Sequence, residues 1–271
     1  MSDLVKGKAT ICIVNYRTLD FTRLVLRCIR KFTKYPHEVI VVDNDSRDES
    51  LEHLKSLKWI RLLQRETEND CSGSRSHSAA LQLGYENCNT EFFVSMHSDA
   101  FAHRDNWLRD LIGYFAGDER IACVGSGKLE LSSRWRILLK KATDWRTFKR
   151  KLLRAPDPAG KFRYYNRTIC CLYRTGILRN ERLTFLTDEE KGLTSGKQLY
   201  FDLVDKGYKT VELPASVMGR YVIHLAHATQ VVNPREFTLR KRTINKCNRY
   251  VERVMSSPAI QSVLADDSLD K

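Results

Sequence analysis

EVIVVDNDS, residues 38 to 46, carries four consecutive β-branched residues and then a cluster of acids and amides. A strand buried on both faces reads as such a continuous run, whereas a strand with one wet face alternates. Upstream, ATICIVNY (9–16) is a similar run that ends in Asn15 and Tyr16. Between the two, Phe21, Leu24, Val25, Cys28, Ile29 and Phe32 recur at helical spacing, and Tyr35-Pro36 breaks the pattern. Ser46 and Glu49 read as a capping box opening a second helix toward Leu54. Trp59 to Leu63 reads as a short third strand, Ser76 to Tyr85 as a helix, and Phe92 to Met96 as a fourth strand. This β-α-β-α-β-α-β order predicts an α/β fold with a mainly parallel sheet flanked by helices.

Downstream, Trp107, Leu108, Leu111, Ile112 and Phe115 follow helical spacing, with Trp107 expected in the core. Residues 121–128 and 169–173 read as strands, 198–205 as a helix and 210–213 as a strand, while 131–165 break the alternation.

Three strand ends carry polar residues: Asn15-Tyr16, Asp43-Asn44-Asp45 and His97-Ser98-Asp99. In a parallel sheet these ends share the edge at which open α/β folds bind ligands. Asp43 and Asn44 could pair with a base or ribose, or could be turn residues that cap the next helix. Tyr16 could stack on a ring. His97 and Asp99, two apart, share one face of an extended chain and could hold a divalent metal; the alternative is a polar strand end that caps the sheet. There is no GxGxxG after the first strand and no GxxxxGK[ST], which weighs against a dinucleotide-binding enzyme or a P-loop NTPase.

IVNY, VIVVDNDSRDES, a Gly/Ser-rich turn into a helix, and EFFVSMHSDAFAHRDNWL together resemble the donor half of a family 2 glycosyltransferase with the GT-A fold. GYKTVELP followed by VIHLAHAT resembles a later segment of the same family. The resemblance implies transfer of a sugar, with inversion, from a nucleotide-sugar donor, with Mn2+ or Mg2+ as cofactor. It places Asn15, Tyr16, Asp43 and Asn44 at the nucleoside pocket; Ser98 is a further candidate for binding the nucleotide sugar. His97-Ser98-Asp99 matches the family's DxD metal motif, with an imidazole in place of the first carboxylate. His224, rather than His227, matches the histidine that completes the metal site. His77 stands where the family often has Asn facing the donor, or is a surface helix residue; Arg75 could meet a phosphate or solvent. The family's Glu-Asp pair, whose Asp is the expected base, falls on Ser195-Gly196. The nearest acids upstream are Asp188, Glu189 and Glu190, with Glu189 favoured as base. A degenerate GT-A domain that binds nucleotide or lipid without turnover, and a sugar-phosphate nucleotidyltransferase, are the rival readings. The latter usually carries a Gly-rich, Arg-containing loop that Asn15-Tyr16-Arg17-Thr18 does not resemble.

The 271 residues can bury a full core. A GT-A domain is expected over 1–232, with a donor half at 9–115, an acceptor half at 116–232 and a basic helical tail at 233–271. No apolar run is long enough to span a membrane, and MSDLVKGKAT has no apolar signal core, so a cytoplasmic location is expected. Eight cysteines without CxxC spacing suggest buried thiols. The net charge of +13 concentrates at 134–154 and 235–253. RWRILLKKATDWRTFKRKLLR (134–154) has the profile of an in-plane membrane helix, with Trp135, Leu138, Leu139 and Trp145 on one face, broken by Lys149, and the other cations largely elsewhere; it could instead pack on the protein's own sheet. The tail has a similar but less apolar pattern. A nucleotide-sugar donor, a glycan or lipid-linked acceptor and an anionic membrane surface are the expected partners. No nucleic-acid module accompanies the charge, so nucleic acid is not expected.

Overall fold

The computed structural model describes residues 3–67, 73–127, 165–187, 193–225, 232–233 and 241–271. The strands are β1 (Val5–Asn15), β2 (His37–Asp43), β3 (Arg61–Gln64), β4 (Thr90–His97), β5 (Ala100–Ala102), β6 (Ile121–Ser126), β7 (Cys170–Arg174), β8 (Lys209–Leu213) and β9 (Val222–His224). The helices are α1 (Leu19–Phe32), α2 (Glu49–Ser56), α3 (Gly73–Glu86), α4 (Trp107–Gly113), α5 (Thr175–Asn180), α6 (Ser195–Asp205), α7 (Ala215–Met218), α8 (Lys241–Met255) and α9 (Pro258–Leu264). A 3-10 turn, Asp267–Asp270, ends the chain.

Seven strands form one sheet in the order β3-β2-β1-β4-β7-β6-β8. Every pairing is parallel except those of β7, which runs antiparallel to both β4 and β6. A single reversed strand in an otherwise parallel sheet is not visible in an apolar run, because direction leaves no mark on composition. The alternation of side chains across the pleat splits the core into two layers. Ile11, Ile13, Val39, Val41, Val94 and Met96 face α1 and α4. Cys12, Val14, Ile40, Val42 and Phe93 face α3 and α6. A Cβ on Gly84 of α3 would collide with Cys12 Sγ, so this helix lies on β1 closer than an alanine permits. Trp107 is fully buried and its Nε1 donates to Thr33 Oγ1 at 3.0 Å.

Two local readings are corrected. The capping box at Ser46 and Glu49 does not form: α2 begins at Glu49 behind Asp48, whose carboxylate accepts from the Ser50 amide at 3.0 Å. Ser46 instead turns inward to the strand ends, where its hydroxyl meets Asn15. The apolar face of α8 is also not available to a membrane. Cys247 is buried, and Tyr250, Val251, Val254 and Met255 pack on the core layer that contains α1. Ile260 and Val263 of α9 complete this packing. The seven described cysteines are buried, as expected; Cys71 lies outside the described residues. The basic run 134–154 also lies outside them.

Candidate active site

The carboxyl ends of β1, β2 and β4 meet in register, with Asn15 opposite Asp43 and Val14 opposite His97. Asn15 is fully buried. Its Nδ2 lies 2.8 Å from Asp43 Oδ1, 3.0 Å from Ser46 Oγ and 2.9 Å from Ser50 Oγ. Its Oδ1 accepts from Thr22 at 2.7 Å and Thr18 at 3.2 Å. An amide so fully used has no capacity left for a ligand; its effect is to aim Asp43. The second Asp43 oxygen accepts from the Ser46 amide at 3.1 Å. Asn44 donates to Ser76 Oγ at 2.8 Å and accepts from Arg65 Nη1 at 2.8 Å. Tyr16 is half-buried beneath the Arg17 guanidinium, 5.2 Å from its ring centre.

The loops here hold three non-glycine residues in left-handed backbone: Arg17 at φ 49°, Asp45 at φ 67° and Arg47 at φ 50°. Each costs on the order of 1–2 kcal/mol, and local bonds hold them. Arg17 Nε donates to Ser46 O at 3.0 Å, and Asp45 accepts from Arg47 Nε at 2.6 Å and Thr67 Oγ1 at 2.9 Å. Such conformations persist where the surroundings over-determine them, and ligand-binding loops are where they cluster.

The metal-type cluster is built by the small second sheet. After β4 the chain turns at Ser98-Asp99 into β5, which pairs antiparallel with β9 so that Ala100 lies opposite His224. The Leu225 amide donates to Asp99 O at 2.9 Å, fixing His224 beside the aspartate. His224 Nε2 is 3.3 Å from Asp99 Oδ1, and His97 Nδ1 is 3.8 Å from the same oxygen. One ligand atom from each of the three residues falls within 4.8 Å of the others. Donors that share one ion at bond lengths near 2.1 Å stand about 3–4 Å apart, the spacing of both contacts to Asp99 Oδ1, so the three could close on a single divalent cation. α8 backs the cluster, with Cys247 Sγ 3.7 Å from Leu225 O.

His77, on the first turns of α3, presents its ring edge to His97 with centres 5.2 Å apart. It is not a surface histidine: its Nε2 is buried without a hydrogen-bond partner among the described residues. Burial pushes its pKa down to about 4 against the pull of Asp99. His97 is pushed down to about 3, first by burial, then by His77, with Asp99 opposing and His224 and Arg167 adding to the fall. About a third of the His97 side chain, 32%, still reaches solvent. Both rings are neutral at physiological pH, the form in which imidazole binds a metal. Ser98 is buried, its hydroxyl oxygen 3.3 Å from Thr18 Oγ1. Arg75 is exposed on the first turn of α3.

The structure thus brings together Asn15, Tyr16, Asp43, Asn44, His77, His97, Ser98, Asp99 and His224. Asp188, Glu189 and Glu190 lie outside the described residues, as does His227. The chain reaches residue 187 over α3, where Thr187 Oγ1 is 3.2 Å from Ser78 Oγ, one residue beyond His77. Ser195 and Gly196 open α6 and are buried. Sequence reasoning missed Arg65 and Ser76, which hold Asn44, and Thr168, whose hydroxyl is 3.3 Å from His97 Nε2. None sits in a motif; each is found only through the contact it makes.

Residues 10–179 match the family model described as Glycosyl transferase family 2. No curated protein matches the chain by sequence. Among solved structures, a mannosyltransferase from Pyrobaculum calidifontis in complex with GDP-Man and Mn2+ is similar at 15% identity and a TM-score of 0.53, covering 95% of this chain and 74% of that one. Glucosyl-3-phosphoglycerate synthase from Mycobacterium tuberculosis, in complex with Mn2+, UDP and glucosyl-3-phosphoglycerate, is similar at 14% identity and a TM-score of 0.50, covering 92% and 79%. At these identities the likeness is one of fold.

Proposed function

The chain belongs to glycosyl transferase family 2, and we propose that it moves a sugar, with inversion, from a nucleoside-diphosphate sugar to an acceptor hydroxyl at the carboxyl edge of β1, β2 and β4. The observation that carries this reading is the His97–Asp99–His224 cluster beside the buried Asp43–Asn44 pair. Asp43 and Asn44 would receive the nucleoside, Tyr16 would cover it, and Asn15 would act by holding Asp43. Ser98, His77 and Arg75 would line the path of the diphosphate and sugar. Asp99, His97 and His224 would hold the divalent ion. When bound, that ion supplies charge neutralisation to the departing diphosphate. The protein's own part is to fix donor and acceptor in line and keep water from the anomeric carbon.

An attacking hydroxyl must lose its proton. Gly196 cannot take it, and we assign the base to the acids at 188–190, with Glu189 first. Support comes from Thr187, which brings the chain to α3 beside His77 immediately before these residues. Transfer should be assayed with a panel of sugar nucleotides, with and without Mn2+. Alanine at Asp188, Glu189 and Glu190 in turn should give one loss in kcat of about 10² or more. Three variants at wild-type rate would place the base elsewhere, and no turnover with any donor would return the chain to a binding domain.

The acceptor is proposed to be a glycolipid or polysaccharide precursor at an anionic membrane surface. The support is the basic, tryptophan-bearing run 134–154. No described helix is long and apolar enough to cross a membrane, and α8 spends its apolar face internally, so lipid contact would fall to 134–154. Sedimentation with anionic vesicles should fall with salt and on changing Trp135 and Trp145 to Ser, each nearby cation contributing roughly 1 kcal/mol. Equal sedimentation with neutral vesicles would remove the electrostatic component.

A further inference from the structure

His97 uses both ring nitrogens. Nδ1 faces Asp99 Oδ1 at 3.8 Å, on the side where His224 Nε2 also lies 3.3 Å from that oxygen. Nε2 faces the other way, 3.3 Å from Thr168 Oγ1. A neutral imidazole carries one proton. If Nδ1 offers a lone pair to an ion, Nε2 carries the hydrogen and donates it to Thr168. Strand pairing brings Thr168 there: Met96 lies opposite Cys170, and the His97 amide donates to Ile169 O at 3.0 Å. The fit also depends on Gly196. A Cβ at that position would stand 2.9 Å from Thr168 Cγ2 and 3.3 Å from the Thr168 amide nitrogen. The second of these is backbone and cannot swing aside.

We propose that Thr168 is the positioning residue of the metal site, locking the His97 tautomer that presents Nδ1, and that the two-imidazole, one-carboxylate set so held selects a first-row transition ion, Mn2+ included, over Mg2+. Mg2+ takes oxygen ligands in strict octahedral geometry and keeps its waters. Imidazole favours the transition ions. A metal-bound histidine generally donates its second nitrogen to a fixed acceptor, and losing that acceptor weakens metal binding about 10–100-fold. Thr168 supplies the acceptor, and Gly196 leaves it room. The inference rests on the proposed function only in taking this cluster as a metal site.

The test uses the full chain without sugar nucleotide. Mn2+ binding is followed by electron paramagnetic resonance and calorimetry, with Mg2+ as competitor. The wild type should bind Mn2+ with nitrogen hyperfine coupling and resist displacement by a large excess of Mg2+. Thr168→Val keeps the shape and removes the oxygen; Mn2+ affinity should drop about 10–100-fold, and Thr168→Ser should restore it. Gly196→Ala should shift affinity in the same direction as Thr168→Val. His97→Asp should lose part of the nitrogen coupling and let Mg2+ compete. Thr168→Val binding Mn2+ like wild type would overturn the positioning role, and Mg2+ displacing Mn2+ at equal concentration would overturn the selectivity. A wild type that binds no Mn2+ would overturn both this inference and the metal part of the proposed function. A chain that binds Mn2+ as described yet transfers no sugar would sink the transfer reading alone.

Discussion

Asp99→Ala should abolish Mn2+-dependent binding of a nucleoside diphosphate and leave the fold intact. Among the described residues Asp99 is the only carboxylate in the cluster, and both histidines are placed around it, at 3.3 and 3.8 Å from one oxygen. Without it, two imidazoles leave a dication with no anionic ligand among the described residues. The loss in metal affinity should exceed the roughly 100-fold that removal of an outer-shell partner costs. Nucleotide affinity should then become independent of Mn2+, and kcat for transfer should fall about 10³-fold, as when a preorganised group facing developing charge is removed. The fold should survive because the junction of β5 and β9 is held by backbone: the Leu225 amide bonds Asp99 O, not its side chain. His97→Ala should cost less than Asp99→Ala, since one carboxylate and one imidazole remain. Calorimetry of a nucleoside diphosphate with and without Mn2+ checks this, and unchanged affinity in the presence of Mn2+ would remove Asp99 from the site.

Much of this site was legible because buried parallel strands announce themselves. Val39 to Val42 and Ile11 to Val14 are continuous apolar runs, so their polar ends mark the sheet edge without ambiguity. The β4 end was legible for the same reason, and His224 through the resemblance of its segment. What escaped was set by tertiary contact rather than local pattern. Asn15 looks in sequence like a ligand-facing amide, yet Thr18, Thr22, Ser46 and Ser50 occupy it. Each of those residues is a small hydroxyl with an ordinary local explanation, such as the cap expected at Ser46. Thr168 carries no motif because its role needs a strand running opposite to its neighbours, and direction is not encoded in an apolar run. The tail was legible as helical but not as docked. Its dense charge surrounds Cys247, Tyr250, Val251 and Val254, which share the inner face of α8.

That docking yields the largest expected effect on stability. Arg27 lies on α1 with its side chain only 3% exposed. Its Nε and Nη2 grip Asp270 at 2.9 and 2.5 Å, Nη2 also meets Asp267 at 2.6 Å, and Nη1 donates to Leu264 O. The two sides of this pair are unequal. Arg27→Ala leaves Asp270 and Asp267, 24% and 87% exposed, free to hydrate, so it should cost about 2 kcal/mol, the scale of hydrogen bonds to charged groups. Asp270→Asn leaves a buried guanidinium with one exposed partner, and should cost about 3 kcal/mol, the lower end for breaking a buried pair. In a chain of this size that is a fall in Tm of roughly 5 °C. The pH dependence has a fixed sign. Burial alone would push the Asp270 carboxyl up, but the bonds from Arg27 and its charge outweigh this and hold it below the ordinary carboxylate value. The unfolded chain therefore binds the proton first, and the stabilisation is complete above the unfolded pKa of about 3.9 and lost as pH falls below it. His53, lowered chiefly by burial and pulled back up in part by Asp270, also destabilises on acidification, so the difference between wild type and Asp270→Asn carries the carboxylate together with its pull on His53. That difference should be constant at neutral pH and shrink below about pH 4. Hydrogen exchange at Ile260 and Val263 should rise in Asp270→Asn before the sheet amides respond, because α9 is held to α1 through this one cluster of bonds and its own apolar contacts. Exchange that rises uniformly across the molecule would instead make the tail part of the same cooperative unit as the sheet.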